Sequence, residues 1–362
     1  MADGPGGGSS PKGGGFTVGY ADPRSISLST MARLPSTRFV TLAVMLILAA
    51  CRAPQAVPTE SSATASLSDK GVPRLASASI AYDPSSRLIL LFGITEGDFK
   101  ATTWTWDGQS WTQQHPRSSP AELRGSLAYD WVTSSIILFG TTYPGGQSQT
   151  WAWRDLNWVR LQPSAEAVEP GGEYFFNLAS DARSKRVLAF GGCCGQTELP
   201  SKTWSWDGSS WSRLQPKTTP SDRINVHFAY DAAIQRTVLF GGNVHLSGSE
   251  SNDLWTWDGG AWVNQYPAAA PPPDLANAAI GYDGTHKNIV LLARVGKYDV
   301  ETWTWDGQTW SRQHPSSVPP ATVTYEMAWD EATGQLVLFD LVPSPLRPQT
   351  WIWNGSNWER KA

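Results

Sequence analysis

Residues 103–111 read TWTWDGQSW. The phrase returns as TWAWRDLNW at 150–158, TWSWDGSSW at 203–211, LWTWDGGAW at 254–262, TWTWDGQTW at 302–310 and TWIWNGSNW at 350–358. Eighteen of the twenty tryptophans of this 362-residue chain stand in these six copies of W-x-W-x4-W. Self-similarity at a spacing of 47 to 53 residues marks a repeat architecture in which each unit is one supersecondary element. Upstream of each copy lies an aspartate: Asp83, Asp130, Asp181, Asp231, Asp283 and Asp330. Nine residues after each aspartate an apolar run such as LILLF or RTVLF ends.

The pattern predicts four short strands per repeat. Strand A ends at the aspartate. Strand B is the apolar run, continuous enough to be buried on both faces. Strand C carries the Trp-x-Trp pair, and strand D begins at the third tryptophan. Between C and D stand Asp107-Gly108, Asp207-Gly208, Asp258-Gly259, Asp306-Gly307 and Asn354-Gly355, a hairpin signal because glycine tolerates positive φ. The second repeat replaces it with Arg154-Asp155-Leu156-Asn157. A four-stranded unit of this size cannot bury both faces alone, so the units must stack about an axis as blades. The fold expected is an all-β, six-bladed β-propeller over residues 74–362, with blades at about 75–116, 122–163, 173–216, 223–267, 275–315 and 322–360. No strand looks set to swap between the first and last blades, so the sequence leaves the manner of ring closure open.

An apolar strand, Gly-Gly, a variable loop and paired tryptophans resemble the kelch repeat and the propeller domain of galactose oxidase. The double glycine is kept only at Gly191-Gly192 and Gly241-Gly242, and the last two repeats have Ala293-Arg294 and Asp340-Leu341. The copper site of galactose oxidase has two tyrosines, two histidines and a cysteine cross-link. None of these maps onto this chain, so the resemblance implies fold and not oxidase activity.

Ahead of the repeats, MARLPSTRFVTLAVMLILAAC at 31–51 joins two arginines to an uncharged apolar run of twelve residues. That run is too short for a membrane span, which takes about 20 residues, and fits the h-region of a signal peptide. Leu48-Ala49-Ala50-Cys51 resembles the bacterial lipobox, which implies lipidation of Cys51 and an extracytoplasmic protein on the cell envelope. Residues 1–30 read as a disordered or mis-assigned start with Met31 as the expected initiator, 31–50 as the signal peptide and 51–73 as a flexible tether reaching about 25 Å. Cys193 and Cys194 are then the remaining thiols, either free or joined in a strained vicinal disulfide.

A net charge of -4 without a basic stripe argues against nucleic acid. No His or Cys pair has metal-ligand spacing, so neither a metal nor a cofactor is expected. In a four-stranded meander the A–B and C–D connections share one end of the propeller, and their lengths here are constant. The B–C interval runs from 11 to 15 residues and the D–A interval from 19 to 23, so variation is confined to the other end, where binding groups are expected. Four residues before each aspartate comes the column Ser79, Ser126, Asn177, His227, Ala279 and Glu326, predicted to ring the channel mouth at that variable end. Ligand contacts are expected from Asn177, Cys193, Cys194, His227, His245 and Glu326. The function expected is that of a monomeric module binding a protein or glycan through the B–C/D–A face, touching the bilayer only through Cys51. The alternative is a hydrolase or lyase using His227, Glu326 and Arg124. Of the two tryptophans outside the repeat phrase, Trp329 replaces the usual tyrosine before the aspartate and reads as packing, whereas Trp131 falls inside an A–B turn and is expected to be exposed.

Overall fold

The computed structural model describes residues 71–142, 147–162, 174–193, 202–244, 249–272, 278–321, 324–341 and 347–361. The signal segment, Cys51, the tether as far as residue 70, Cys194 and His245 lie outside them; Val72, expected in the flexible tether, is instead buried in the core beside Leu75. Twenty-four of the described strands fall into the predicted order, four to each of six blades. Strand A spans Leu75–Asp83, Leu123–Asp130, Tyr174–Asp181, His227–Asp231, Ala279–Asp283 and Thr324–Asp330 in blades 1 to 6. Strand B spans Leu88–Thr95, Ser135–Thr142, Arg186–Cys193, Arg236–Phe240, Asn288–Val295 and Gln335–Leu341. Strand C spans Ala101–Trp106, Ser148–Arg154, Lys202–Trp206, Leu254–Trp257, Asp299–Trp305 and Gln349–Trp353. Strand D spans Trp111–Gln114, Asn157–Arg160, Trp211–Arg213, Trp262–Asn264, Trp310–Gln313 and Trp358–Lys361. Each blade is an antiparallel A-B-C-D meander, and consecutive A strands contact one another around a closed ring, the sixth against the first. The protein is a six-bladed β-propeller.

The nine-residue A–B interval has one cause repeated six times. Each aspartate accepts the amide of the residue two places on, as from Ser85 to Asp83 at 2.9 Å and from Ala332 to Asp330 at 3.0 Å, which fixes an Asx turn. The fourth residue after the aspartate is left-handed in every blade: Arg87, Ser134, Lys185, Gln235, Lys287 and Gly334, with φ from 51° to 67°. Only blade 6 places a glycine there. The C–D hairpins behave likewise. Gly108, Gly208, Gly259, Gly307 and Gly355 all have φ between 92° and 105°, while blade 2 turns in two residues, Asp155 and Leu156, both at positive φ.

The repeat phrase itself is the blade interface. Within each blade the second and third tryptophans stack at 5.2 to 5.6 Å. In five of the six joints the third then lies on the strand-B phenylalanine of the preceding blade, as Trp158 does on Phe92 at 5.5 Å and Trp211 on Phe139 at 4.9 Å, whereas blade 5 offers Leu292 to Trp358. Its indole N–H donates to the threonine opening that blade's phrase: Trp158 to Thr103 (2.9 Å), Trp211 to Thr150 (3.0 Å), Trp262 to Thr203 (2.9 Å) and Trp358 to Thr302 (2.9 Å). Blade 4 opens with Leu254 in place of threonine, and the indole N–H of Trp310 is correspondingly without an acceptor. Ring closure needs no swapped strand. Trp111 of blade 1 packs on Phe339 of blade 6 at 5.5 Å and donates to Thr350 at 2.8 Å, the same joint as the others. Eleven tryptophans and phenylalanines of these joints are less than 2% exposed, and the apolar area they remove from water stabilises the ring at about 25 cal/mol per Å².

Candidate functional site

Two cavities lie on the propeller axis, one at each end, and they share a collar of six apolar residues from strand A: Ile80, Leu127, Leu178, Phe228, Ile280 and Met327. The cavity on the B–C/D–A side of the collar has a volume of 210 Å³. The predicted column, Ser79, Ser126, Asn177, His227, Ala279 and Glu326, lines it in full.

These polar side chains hold the blades to one another. Ser79 accepts the amide of Leu127 in the next blade at 3.0 Å, and Ser126 accepts that of Leu178 at 3.2 Å. Asn177 donates to the carbonyl of Val226 at 2.5 Å. Glu326 accepts the amide of Ile80, so in this column it is the residue that joins blade 6 to blade 1. Its side chain keeps partial access to the channel but is surrounded by protein, and burial pushes its carboxyl up to about 8, with the Ile80 amide partly opposing that rise. Glu326 is therefore predominantly protonated at pH 7, which removes the cost of a charge in this enclosure.

The three residues of the alternative catalytic reading fall in different surroundings. His227 and Glu326 line one cavity, whereas Arg124 is exposed, sits opposite Thr141 in the strand register and does not line that cavity. Cys193 ends strand B of blade 3, with its backbone opposite Tyr174. Among the described residues no group of three or more His, Cys, Asp or Glu comes together as a metal site.

Blade 4 departs from the repeat at this end. Its inner strand is interrupted at Asn225, where φ is 54°, and a separate two-residue ribbon forms between Arg223–Ile224 and Asn243–Val244. Arg223 is buried and anchors the ribbon. Its guanidinium donates to the carbonyl of Ser221 at 3.0 Å and of Gly241 at 3.1 Å, and makes a two-pronged bond to Asp253. Burial alone would raise the Asp253 carboxyl, but the bonds from Arg223 and Trp255 hold it below the ordinary aspartate value. The B–C loop of blade 4 is thus built on a buried ion pair.

Around this end large aromatic side chains stand in solvent. Phe99 and Tyr298, in the B–C loops of blades 1 and 5, are 54% and 76% exposed, and Tyr266, beyond strand D of blade 4, is 82% exposed. Lys297 sits over the Tyr298 ring at 4.9 Å. Sequence reading missed these three residues. No repeat position marks them, and only their occurrence in loops of variable length pointed toward them.

No family model and no curated protein matches the chain. Solved structures do. A fungal lectin from Aleuria aurantia, described as a six-bladed β-propeller with a novel fucose recognition mode, is 14% identical with a TM-score of 0.53, over 79% of this chain and 93% of that one. AofleA from Arthrobotrys oligospora is 12% identical with a TM-score of 0.53, over 80% and 86%. SapL1 lectin, solved with alpha methyl fucoside, is 10% identical with a TM-score of 0.53, over 80% and 95%. The likeness is one of fold.

Proposed function

We propose that this chain is a glycan-binding propeller, kelch-like in its repeat, exported and held at the outer side of the membrane by a lipid on Cys51. The observation that carries the reading is the exposure of Phe99, Tyr266 and Tyr298 at the end where the loops vary in length. Exposed large aromatics on a rigid frame offer a flat apolar face to a ligand at little entropic cost. The lectin neighbours support a sugar as that ligand: they match this chain over most of its length, and the Aleuria aurantia and SapL1 lectins recognise fucose or a fucoside. The tying of Ser79, Ser126, Asn177 and Glu326 into blade joints gives most of this polar column a structural role, which favours recognition over acid–base chemistry.

A glycan array probed with the full chain tests this reading. Retention of one class of sugar, with at least about a tenfold loss in Tyr298→Ala, is the expected result. Steady release of product from a retained glycan, or retention of none, contradicts it.

A further inference from the structure

On the far side of the collar, at the A–B and C–D end, the channel widens into a well of 630 Å³, three times the volume of the cavity at the variable end. That volume lies within the range of about 300–1,000 Å³ typical of small-molecule sites. Its walls are aromatic. The residue before the turn aspartate supplies Tyr82, Tyr129, Tyr230, Tyr282 and Trp329, and the residue after it supplies Trp131 in blade 2. Neighbouring blades set the rings in place. The Tyr129 hydroxyl meets Ser85 of blade 1 at 3.1 Å, and Tyr82, Tyr230 and Tyr282 each bond to the backbone of the preceding blade's A–B turn. Trp329 lies over Gly284, where a Cβ would approach its ring to 2.6 Å, so the tryptophan in blade 6 and the glycine in blade 5 are matched. Trp131 meets Tyr129 edge to face at 4.9 Å and keeps 38% of its surface in solvent.

The charge of this lining has one sign. Among the described residues that line the well, Glu331 is the one that bears a carboxyl group, and no Lys, Arg or His is present. Behind the rings stand the six aspartates of the A–B turns; outside the lining the same turns also carry Arg87, Arg183, Lys185 and Lys287, of which Arg87 acts on Tyr82 and Arg183 on Tyr230. Aromatic faces carry partial negative charge, so a ring of six with a carboxylate at its rim attracts a weakly hydrated organic cation and repels an anion. The apolar collar at its base favours a ligand with hydrocarbon attached to the charged head.

We propose that this well binds the quaternary or alkylated ammonium group of a small organic molecule. The site is separate from the glycan face and does not depend on it. The well is roomier than a trimethylammonium head alone, so the cation enters as part of a larger ligand whose apolar portion rests on Ile80, Phe228 and Met327. Because it lies on the axis the six blades share a single well at this end, and the expected stoichiometry is one per chain.

The test titrates the full chain with choline and with the bulkier benzyltrimethylammonium, read by calorimetry and tryptophan fluorescence, beside 3,3-dimethylbutan-1-ol, the uncharged isostere of choline, and fucose. Saturable binding of at least one cation at one site per chain is expected. The neutral alcohol should bind about tenfold more weakly than choline or not at all. Trp131→Ala should weaken the cation about fivefold or more, and Glu331→Gln about two- to fivefold, with the melting temperature of each variant unchanged. Equal affinity for the alcohol and choline, no saturable binding of either cation, or a fucose signal that Trp131→Ala abolishes would overturn the assignment.

Discussion

The two ends of the channel are built from the same inner strands, yet their side chains do opposite work. At the variable-loop end, hydroxyl, amide and carboxyl groups stitch each blade to the next and leave a cavity of 210 Å³. At the constant-loop end, tyrosine hydroxyls do the stitching from the tips of long aromatic side chains, which leaves their rings lining a well of 630 Å³. Constant loop length therefore records a turn that must form, here six Asx turns closed by a left-handed residue, and does not record an idle surface. Variable length marks freedom in the chain, and the exposed aromatics Phe99, Tyr266 and Tyr298 occupy that freedom.

The largest expected contrast separates tryptophans that build joints from Trp131, which lines the well and is partly exposed. Trp158 is fully buried between blades, and Trp158→Ala should cost about 3–5 kcal/mol in a denaturant titration. Trp131→Ala should stay within about 0.5 kcal/mol. Equal losses would mean that Trp131 is also a joint residue and would remove the distinction.

Next in size is the polar stitch at the closing joint. Because the Glu326 carboxyl is raised to about 8 in the folded chain, the fold binds a proton that the unfolded chain releases above its ordinary glutamate value. Stability associated with this group is therefore intact below about pH 4.5 and declines as the pH rises through about 8. Glu326→Gln, which can still accept the Ile80 amide, should match the parent at pH 4 and exceed it at pH 9 by on the order of 2 kcal/mol, less than the roughly 5 kcal/mol of the full rise because channel water screens part of the charge. A constant difference across that range, measured by chemical denaturation at several pH values, would show that the carboxyl stays charged in the channel.

A smaller effect is predicted for the threonine acceptors. Thr103→Val leaves the Trp158 indole N–H buried without a partner and should cost about 1–2 kcal/mol. Removing the acceptor at one joint should reproduce the state already present at Trp310 beside Leu254. The smallest change is a gain. Leu156 holds φ at 58° in the two-residue turn of blade 2 and is largely exposed, so Leu156→Gly should raise stability by up to about 1 kcal/mol in a thermal melt.

Most of the frame was legible in the sequence because each structural demand repeats six times. The Trp phrase named the blade interface, the nine-residue interval named the A–B turn, and the column ending in Glu326 was placed correctly around the channel. What it could not disclose was the direction of the bonds. Ser79, Asn177 and Glu326 look alike as polar channel residues whether they await a ligand or hold a neighbouring strand, and only the positions of Leu127, Val226 and Ile80 across the joint distinguish the two. Ring closure was hidden for the same reason, since nothing local says that Trp111 finds Phe339 and Thr350 more than two hundred residues away. The aromatic well was visible letter by letter as a Tyr or Trp beside most of the aspartates. It takes shape only when the ring brings those residues together.

The most direct test of the division of labour is hydrogen–deuterium exchange of the full chain with and without the glycan retained most strongly on an array. Slower exchange in the B–C and D–A segments around Phe99, Tyr266 and Tyr298, with the A–B turns at Asp83, Asp130 and Asp330 unchanged, is the predicted result. Protection of those turns by the sugar, with the loops unaffected, would place the glycan in the aromatic well and contradict the account.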